Sequence, residues 1–232
     1  RTVLSLRDSQ VPVVNAINGL TLGGATEMSM HAAGVQAAAR TDMGLVEVGV
    51  GLIPAGCGTK EMLWRANQQR PSRQADPLPF VQKAFETIGF AKTSSSGRDA
   101  FGLGYLRSVD GLTMNRDRLV FDAKQEARKR ARDGYRPPLR PAAIPVGGEA
   151  IRATLDLGVH LAWRAGRITD HEAKIGRKLS WILSGGSLPH QGKVSEDQLL
   201  DLEREVFLGL CGEPKTLERI QYTLKTGKTL RN

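Results

Sequence analysis

Short apolar runs separated by turn-forming residues characterise the first half of the chain. The first run ends at Asn18-Gly19, a pattern that predicts a buried strand followed by a turn. Gly23-Gly24 then opens a stretch of residues that favour a helix. The apolar runs lie at residues 11–17, 34–39 and 46–53. Strands that alternate with helices in this way predict an α/β architecture.

Prolines interrupt this pattern twice. Three of them lie among polar residues at 68–79 and predict an exposed connection. Four more, within residues 134–148, exclude a continuous helix and predict an extended crossing segment. Helices are predicted at 60–66, 80–90, 98–102, 115–133, 149–165, 169–183, 195–211 and 214–226. The pattern therefore divides the chain into a core region at residues 1–133, a proline-rich connection at 134–148 and a helical region at 149–232.

Composition narrows the class of protein. The chain has 232 residues, of which 40% are hydrophobic and 25% charged, so disorder and a fibrous structure are both excluded. It contains neither an apolar run of the ~18 residues that span a bilayer nor an apolar secretory signal at its start, which predicts a soluble, cytoplasmic protein. The net charge of +9 favours anionic partners. Two cysteines, Cys57 and Cys211, exclude a disulfide framework and a cysteine-rich zinc site.

Two local features could carry chemistry. Glycines open a helix after residue 22, and Glu27 follows one turn later. Backbone N–H groups at such a helix start bind anions or a developing oxyanion, although a tight strand-to-helix turn is the commoner explanation of the pattern alone. Glu47 lies within the apolar stretch 45–53, where burial of a carboxylate is costly without a partner or a purpose. An edge residue that faces water explains Glu47 equally well.

Taken together, these features match the order and spacing of a known family. The segments NGLTLGGATE (18–27) and IPAGCGT (53–59), with Glu47 between them, resemble the central motif of the crotonase (enoyl-CoA hydratase/isomerase) superfamily. In its hydratases two glutamates are twenty positions apart, and here 47 − 27 = 20. Residues 91–106 and 202–231 are also similar to family segments. The chain most resembles the hydratase portion at the carboxyl end of bifunctional 3-hydroxyacyl-CoA dehydrogenase/enoyl-CoA hydratase proteins.

The resemblance implies a crotonase-like (ββα spiral) core that is incomplete at its amino end and is followed by a helical carboxyl-terminal region. It implies syn addition of water to a 2-enoyl-CoA thioester in fatty-acid β-oxidation, without a cofactor or a metal. The Gly24 N–H would bind the thioester oxyanion, Glu27 would activate the water and Glu47 would deliver the α-proton. The implied substrate-binding residues are Leu22, Gly23, Pro54 and Gly56.

Departures from the family motif limit what the resemblance implies. Ala25 and Thr26 replace a glycine and a cysteine, which matters if position 25 requires a positive φ. The family builds its second oxyanion donor and much of its coenzyme A site from a segment upstream of Val11, which this sequence lacks. We therefore expect the chain alone to have an incomplete site. The implied partners are further copies of the chain and an upstream dehydrogenase domain.

Several alternatives stay open. An isomerase would use one glutamate to shuttle the proton, and a binding module would keep the fold without catalysis. Nucleic-acid binding through the basic segment 124–140 has little support, because aromatic residues make up only 5% of the chain. The scattered histidines predict no metal site, and His31 is expected to be satisfied locally. Cys57 is expected to be a packing residue.

Overall fold

The computed structural model describes residues 2–232, so Arg1, at which the predicted core region begins, lies outside the described residues. The helices are α1 (Thr2–Arg7), α2 (Gly24–Met30), α3 (Gly58–Gln68), α4 (Leu78–Gly89), α5 (Gly97–Gly102), α6 (Leu119–Arg132), α7 (Gly148–Arg164), α8 (Asp170–Leu183), α9 (Glu196–Cys211) and α10 (Pro214–Thr226). The strands are β1 (Val14–Leu22), β2 (Gly34–Gly44), β3 (Gly111–Thr113), β4 (Ile144–Val146) and β5 (Gly192–Val194), and 3₁₀ helices lie at Glu47–Val50 and Arg116–Arg118.

The described chain forms two compact units. The first contains the described residues up to Leu45 together with Lys92–Arg140, and the second contains Val46–Ala91 and Pro141–Asn232. These boundaries differ from those of the three regions predicted from the sequence, because residues 46–91 pack with the helical region. The division at 1–133, 134–148 and 149–232 stays a prediction about the organisation of the sequence.

A three-stranded parallel sheet in the order β1-β2-β3 forms the centre of the first unit. Strand β2 is mostly buried, and α5 and α6 pack on the sheet. Helix α5 approaches β2 closely because Gly97 lacks a side chain: a Cβ there would lie 2.6 Å from the Ala38 carbonyl oxygen. The Asp110 carboxylate accepts the Val35 N–H at 3.0 Å and ties the loop before β3 to the sheet.

The second unit is mainly helical. Helices α7 and α8 are joined by a short turn and pack on each other, and α3, α4 and α9 also pack against α8. The capping boxes Thr169/Glu172 and Ser195/Gln198 begin α8 and α9, because each hydroxyl and its partner satisfy N–H groups that the helix leaves free. The fully buried aliphatic side chains of this unit include Ile53, Leu63, Ile88, Ile144, Ile175 and Leu179.

The structure corrects the predicted elements at three places. The turn expected at Asn18-Gly19 is an irregularity inside β1, where the register with β2 shifts and Gly19 takes φ 65°. The apolar run 46–53 contains a 3₁₀ helix rather than a strand, because Gly51 closes the segment in a left-handed conformation. The region expected to be all-helical contains β5, which pairs antiparallel with β4.

Within residues 2–232, no helix combines the length and the apolar character that crossing a bilayer requires.

A buried histidine makes the stability of the second unit dependent on pH. His171 is 3% exposed, and its Nε2 lies 2.9 Å from the Thr216 hydroxyl. Burial lowers the pKa of His171; Arg219, Lys215 and Lys174 act in the same direction, and Glu213 opposes them. The unfolded chain therefore binds this proton more readily than the folded chain, so stability falls as the pH drops below the ordinary histidine pKa of about 6.5.

We expect the free energy of unfolding in urea to decrease from pH 7.5 to pH 5.5, and to decrease less steeply in His171→Gln. The slope of this pH dependence, rather than the free energy at one pH, distinguishes the two proteins, because the substitution itself changes the free energy of unfolding at every pH. Equal slopes for the two proteins would show that His171 does not contribute to the pH dependence.

Candidate active site

The turn between β1 and α2 depends on a glycine. Gly23 adopts φ 58° and ψ −127°, a conformation that side chains disfavour, and its N–H donates to the Gly44 carbonyl oxygen at 2.8 Å. The next residue, Gly24, begins α2 and is exposed, and a Cβ on it would meet nothing within 4 Å. The backbone at Gly24 therefore borders open space, at the end of a helix where N–H groups lack partners within the helix.

The Thr26 side chain connects this turn to β1 and β2 by hydrogen bonds. Its side chain is fully buried, and its hydroxyl lies 2.6 Å from the Thr21 carbonyl oxygen and 3.2 Å from the Gly44 nitrogen, whose N–H it accepts. Ala25 has an ordinary negative φ, since Cys57 and Ala91 are the non-glycine residues with positive φ in the described chain. The two departures from the family motif are therefore compatible with the geometry of the turn.

Glu27 lies in the first turn of α2 and is 5% exposed. Its N–H donates to the Gly23 carbonyl oxygen at 3.0 Å, and its own carbonyl oxygen lies 2.8 Å from Nδ1 of His31. His31 ends the helix and is itself buried. The prediction that His31 is satisfied locally is confirmed by this contact.

Glu47 begins the 3₁₀ helix Glu47–Val50 in the second unit and is half-buried. Its carbonyl oxygen accepts the Leu52 N–H at 3.0 Å. Gly51, with φ 86°, follows the helix and redirects the chain into the glycine-rich loop. We call residues 47–51 the Glu47 turn.

The glycine-rich loop, residues 52–57, leads from this turn into α3. Pro54 is buried, and its carbonyl oxygen accepts both the N–H of Thr59 at 3.1 Å and its hydroxyl at 2.9 Å. Gly56 is half-buried. Cys57 caps the start of α3 in a left-handed conformation, with φ 79°. Its placement in the second unit's core supports the expected packing role.

Glu203 on α9, which is not among the predicted site residues, anchors the loop. Its carboxylate accepts the N–H of Cys57 at 3.1 Å and the N–H of Lys60 at 2.5 Å, so a fully buried charge caps the amino end of α3. The sequence does indicate that Glu203 is unusual, because it lies on the apolar face of α9 between Leu199 and Val206, where burial of a carboxylate requires a partner.

A buried ion cluster surrounds the first turn of α3. The Lys60 ammonium lies 3.1 Å from Glu61 and 3.0 Å from Glu196, and Arg65 pairs with Glu61 at 2.8 Å. Burial alone would lower the pKa of Lys60, but the two carboxylates outweigh it, and the pKa is raised. Lys60 is therefore charged at neutral pH, and its charge is matched by its neighbours.

The predicted site residues fall into two groups. Leu22, Gly23, Gly24 and Glu27 share the turn between β1 and α2 in the first unit, and Glu47, Pro54 and Gly56 share one connection in the second. The convergence of the two groups on one substrate stays a prediction. Among the described residues, no group of three or more His, Cys, Asp or Glu side chains could hold a metal ion.

No family model matches the chain. An enoyl-CoA hydratase from Mycobacterium avium subsp. paratuberculosis K-10 superposes on it with a TM-score of 0.56, over 99% of this chain and 68% of that one, at 16% identity. The chain has a crotonase fold. The fold prediction is thereby confirmed.

Two longer proteins match the crotonase-fold chain in sequence. A Bacillus subtilis protein named "Probable 3-hydroxyacyl-CoA dehydrogenase" is 43% identical over 231 residues, which are 100% of this chain and 29% of that protein. A Rickettsia felis protein, whose name assigns it to the fatty acid oxidation complex trifunctional enzymes, is 26% identical over 97% of this chain and 28% of its own length. The chain thus spans less than a third of either relative.

Replacing Thr26 by Val should destabilise the first unit by about 1–3 kcal/mol, because the Gly44 N–H and the Thr21 carbonyl group lose a buried partner. Thr26→Ser keeps the hydroxyl and should lose less, about 1 kcal/mol for the missing methyl group. Urea denaturation measures both. A Val variant as stable as the unaltered chain would contradict this role of the hydroxyl.

Glu203→Gln should lower the free energy of unfolding by about 1.5–3 kcal/mol, because one of the two N–H groups at the start of α3 would face an amide N–H₂ instead of a carboxylate oxygen. The matched control is Glu205→Gln, an exposed position on the same helix that should change stability by no more than about 0.5 kcal/mol. Equal effects of the two variants in urea denaturation would remove the capping role.

Proposed function

We propose that the chain carries an enoyl-CoA hydratase site, which adds water to the double bond of a 2-enoyl-CoA thioester and yields a 3-hydroxyacyl-CoA. The observation that carries the proposal is the glycine turn at the start of α2: Gly24 borders open space, and Glu27 is buried one turn further on. The fold shared with an enoyl-CoA hydratase and the sequence relatives named for 3-hydroxyacyl-CoA and fatty-acid oxidation enzymes support the same reaction class.

Hydration of the double bond places negative charge on the thioester oxygen. The oxygen of water bonds to the β-carbon while the electron pair of the double bond moves toward the carbonyl group, so the intermediate is an enolate. A donor aimed at that oxygen stabilises the charge, and one backbone donor contributes about 10²–10³ in rate. We assign this role to the Gly24 N–H, which belongs to the first turn of α2 and is not needed by the helix.

The reaction also moves two protons. The attacking water loses one to a base, and the α-carbon gains one from an acid, so that one water molecule is added overall. We assign the base to Glu27 and the acid to Glu47. Each turnover leaves Glu27 protonated and Glu47 deprotonated, and proton exchange with solvent returns both carboxyl groups to their starting states. Delivery of both groups to one face of the double bond would make the addition syn.

The remaining assignments concern binding. Leu22 and Gly23 precede the oxyanion donor, and Pro54 and Gly56 lie in the glycine-rich loop; we propose that they border the thioester. The thioester itself activates the double bond, so the chemistry needs no further cofactor or metal.

Because the relatives are much longer than this chain, we also propose that the site operates beside a 3-hydroxyacyl-CoA dehydrogenase domain, which would oxidise the product. We also propose that the protein assembles into a homo-oligomer.

Glu27→Gln and Glu47→Gln, made in the intact protein that carries this sequence, should each lower kcat for hydration of crotonyl-CoA by about 10²–10⁴-fold. Loss of a proton-transfer group removes transition-state stabilisation, so substrate binding measured by calorimetry should persist. Glu205→Gln serves as the control and should leave turnover unchanged. Circular dichroism confirms that each variant is folded.

Three outcomes would overturn the proposal. If kcat for hydration stayed within tenfold of the unaltered protein in each of the two variants, Glu27 and Glu47 would be excluded as the base and the acid. Double-bond isomerisation that survives Glu27→Gln but is lost in Glu47→Gln would identify an isomerase instead. Failure of the unaltered protein to bind any acyl-CoA in calorimetry would identify a crotonase-fold structural or binding module.

A further inference from the structure

The Glu47 turn packs closely against α10. Gly51 leaves no room for a side chain, because a Cβ there would lie 2.7 Å from the Thr216 hydroxyl oxygen and 3.0 Å from the Thr216 Cα. A Cβ on Gly49 would lie 3.1 Å from the methyl group of Thr229, in the segment that follows α10. Two glycines of the turn therefore mark the surface on which α10 and the segment after it rest.

Thr216 binds the end of the turn directly. Its side chain is fully buried, and its hydroxyl donates to the Gly51 carbonyl oxygen at 2.9 Å. A hydroxyl has one hydrogen to donate, so the second contact, with Nε2 of His171 at 2.9 Å, makes Thr216 the acceptor. This assigns the Nε2–H tautomer to His171. The chain of contacts runs from α8 through α10 to the Glu47 turn.

Arg219, one helical turn after Thr216, reaches the same segment. It is 1% exposed, and its guanidinium donates to the Val48 carbonyl oxygen at 3.4 Å and to the Asn232 side chain at 2.8 Å. Its charge is matched by Glu172 at 3.5 Å, and burial combined with this pairing keeps the guanidinium in place. Two buried polar side chains of α10 thus hold two carbonyl groups of one short turn.

We infer that Thr216 and Arg219 are positioning residues, which fix the backbone of the Glu47 turn and thereby the direction from which Glu47 delivers its proton. The inference rests on the proposed function of Glu47. A single 3₁₀ turn has few internal hydrogen bonds and poor hydrogen-bond geometry, so external anchors determine its position. An error of about 1 Å in the placement of a reacting group costs on the order of 10²-fold in rate.

Thr216→Ala in the intact protein should lower kcat for crotonyl-CoA hydration by about 10–100-fold and leave KM within about threefold, because the substrate-binding residues keep their places. Thr216→Ser restores the hydroxyl and should restore kcat to within about threefold. A loss of stability alone would lower only the amount of folded enzyme. Assayed at equal concentrations of folded enzyme, it would not produce the loss of kcat in Thr216→Ala and its recovery in Thr216→Ser.

A double-mutant cycle with Glu47→Gln tests the mechanism. If Thr216 acts through Glu47, Thr216→Ala should cause little further loss of kcat in the Glu47→Gln background. A full 10–100-fold further loss, or an unchanged kcat in Thr216→Ala alone, would overturn the inference while Glu47→Gln still shows its own large loss. If Glu47→Gln is active instead, the proposed function fails first, so the two failures are distinguishable.

Arg219→Lys keeps the charge and should give an intermediate loss of kcat, which Glu47→Gln should likewise suppress.

Discussion

A glycine with a positive φ and one backbone hydrogen bond set the geometry of the turn between β1 and α2. Gly23 turns the chain from β1 into α2 within a single residue, and its N–H is held by the carbonyl group of Gly44 at the end of β2. Three features surround this link: the Thr26 hydroxyl contacts both strands, Gly24 begins the helix at its exposed end, and Glu27 is buried. Any other residue at position 23 would strain the backbone at this φ and ψ. Relief of that strain would displace Gly24, Thr26 and Glu27 together.

In the second unit, the candidate site residues are held in place by side chains that are distant in the sequence. Its candidate residues lie on a 3₁₀ turn and a loop, elements with little stability of their own, and buried polar side chains from later helices hold them in place. Glu203 caps α3 at the end of the loop, and α10 supports the Glu47 turn. We expect these buried polar groups to favour one arrangement of the turn and the loop, because each is satisfied only while its partner stays in place.

Local patterns in the sequence predicted most of the helices and the glycine turn, because their signals lie within a few residues: glycine pairs, capping residues and the spacing of apolar positions. The predicted helix at 214–226 coincides with α10. The bulge at Gly19, the strand β5 and the anchoring by Glu203 and Thr216 were not predicted, since each depends on a partner far along the chain. For the candidate site, residue types and order were predictable from the resemblance, whereas the supporting contacts required the tertiary structure.

The contact between Glu203 and the start of α3 joins positions separated by 146 and 143 residues. During synthesis from the amino end, the glycine-rich loop emerges from the ribosome long before the carboxylate that fastens it. The N–H groups of the loop and of the first turn of α3 therefore bind water until α9 has been made and has docked. Non-local closure of this kind is slow and costs loop entropy, so the final shape of this segment is among the last features that the chain acquires as it matures.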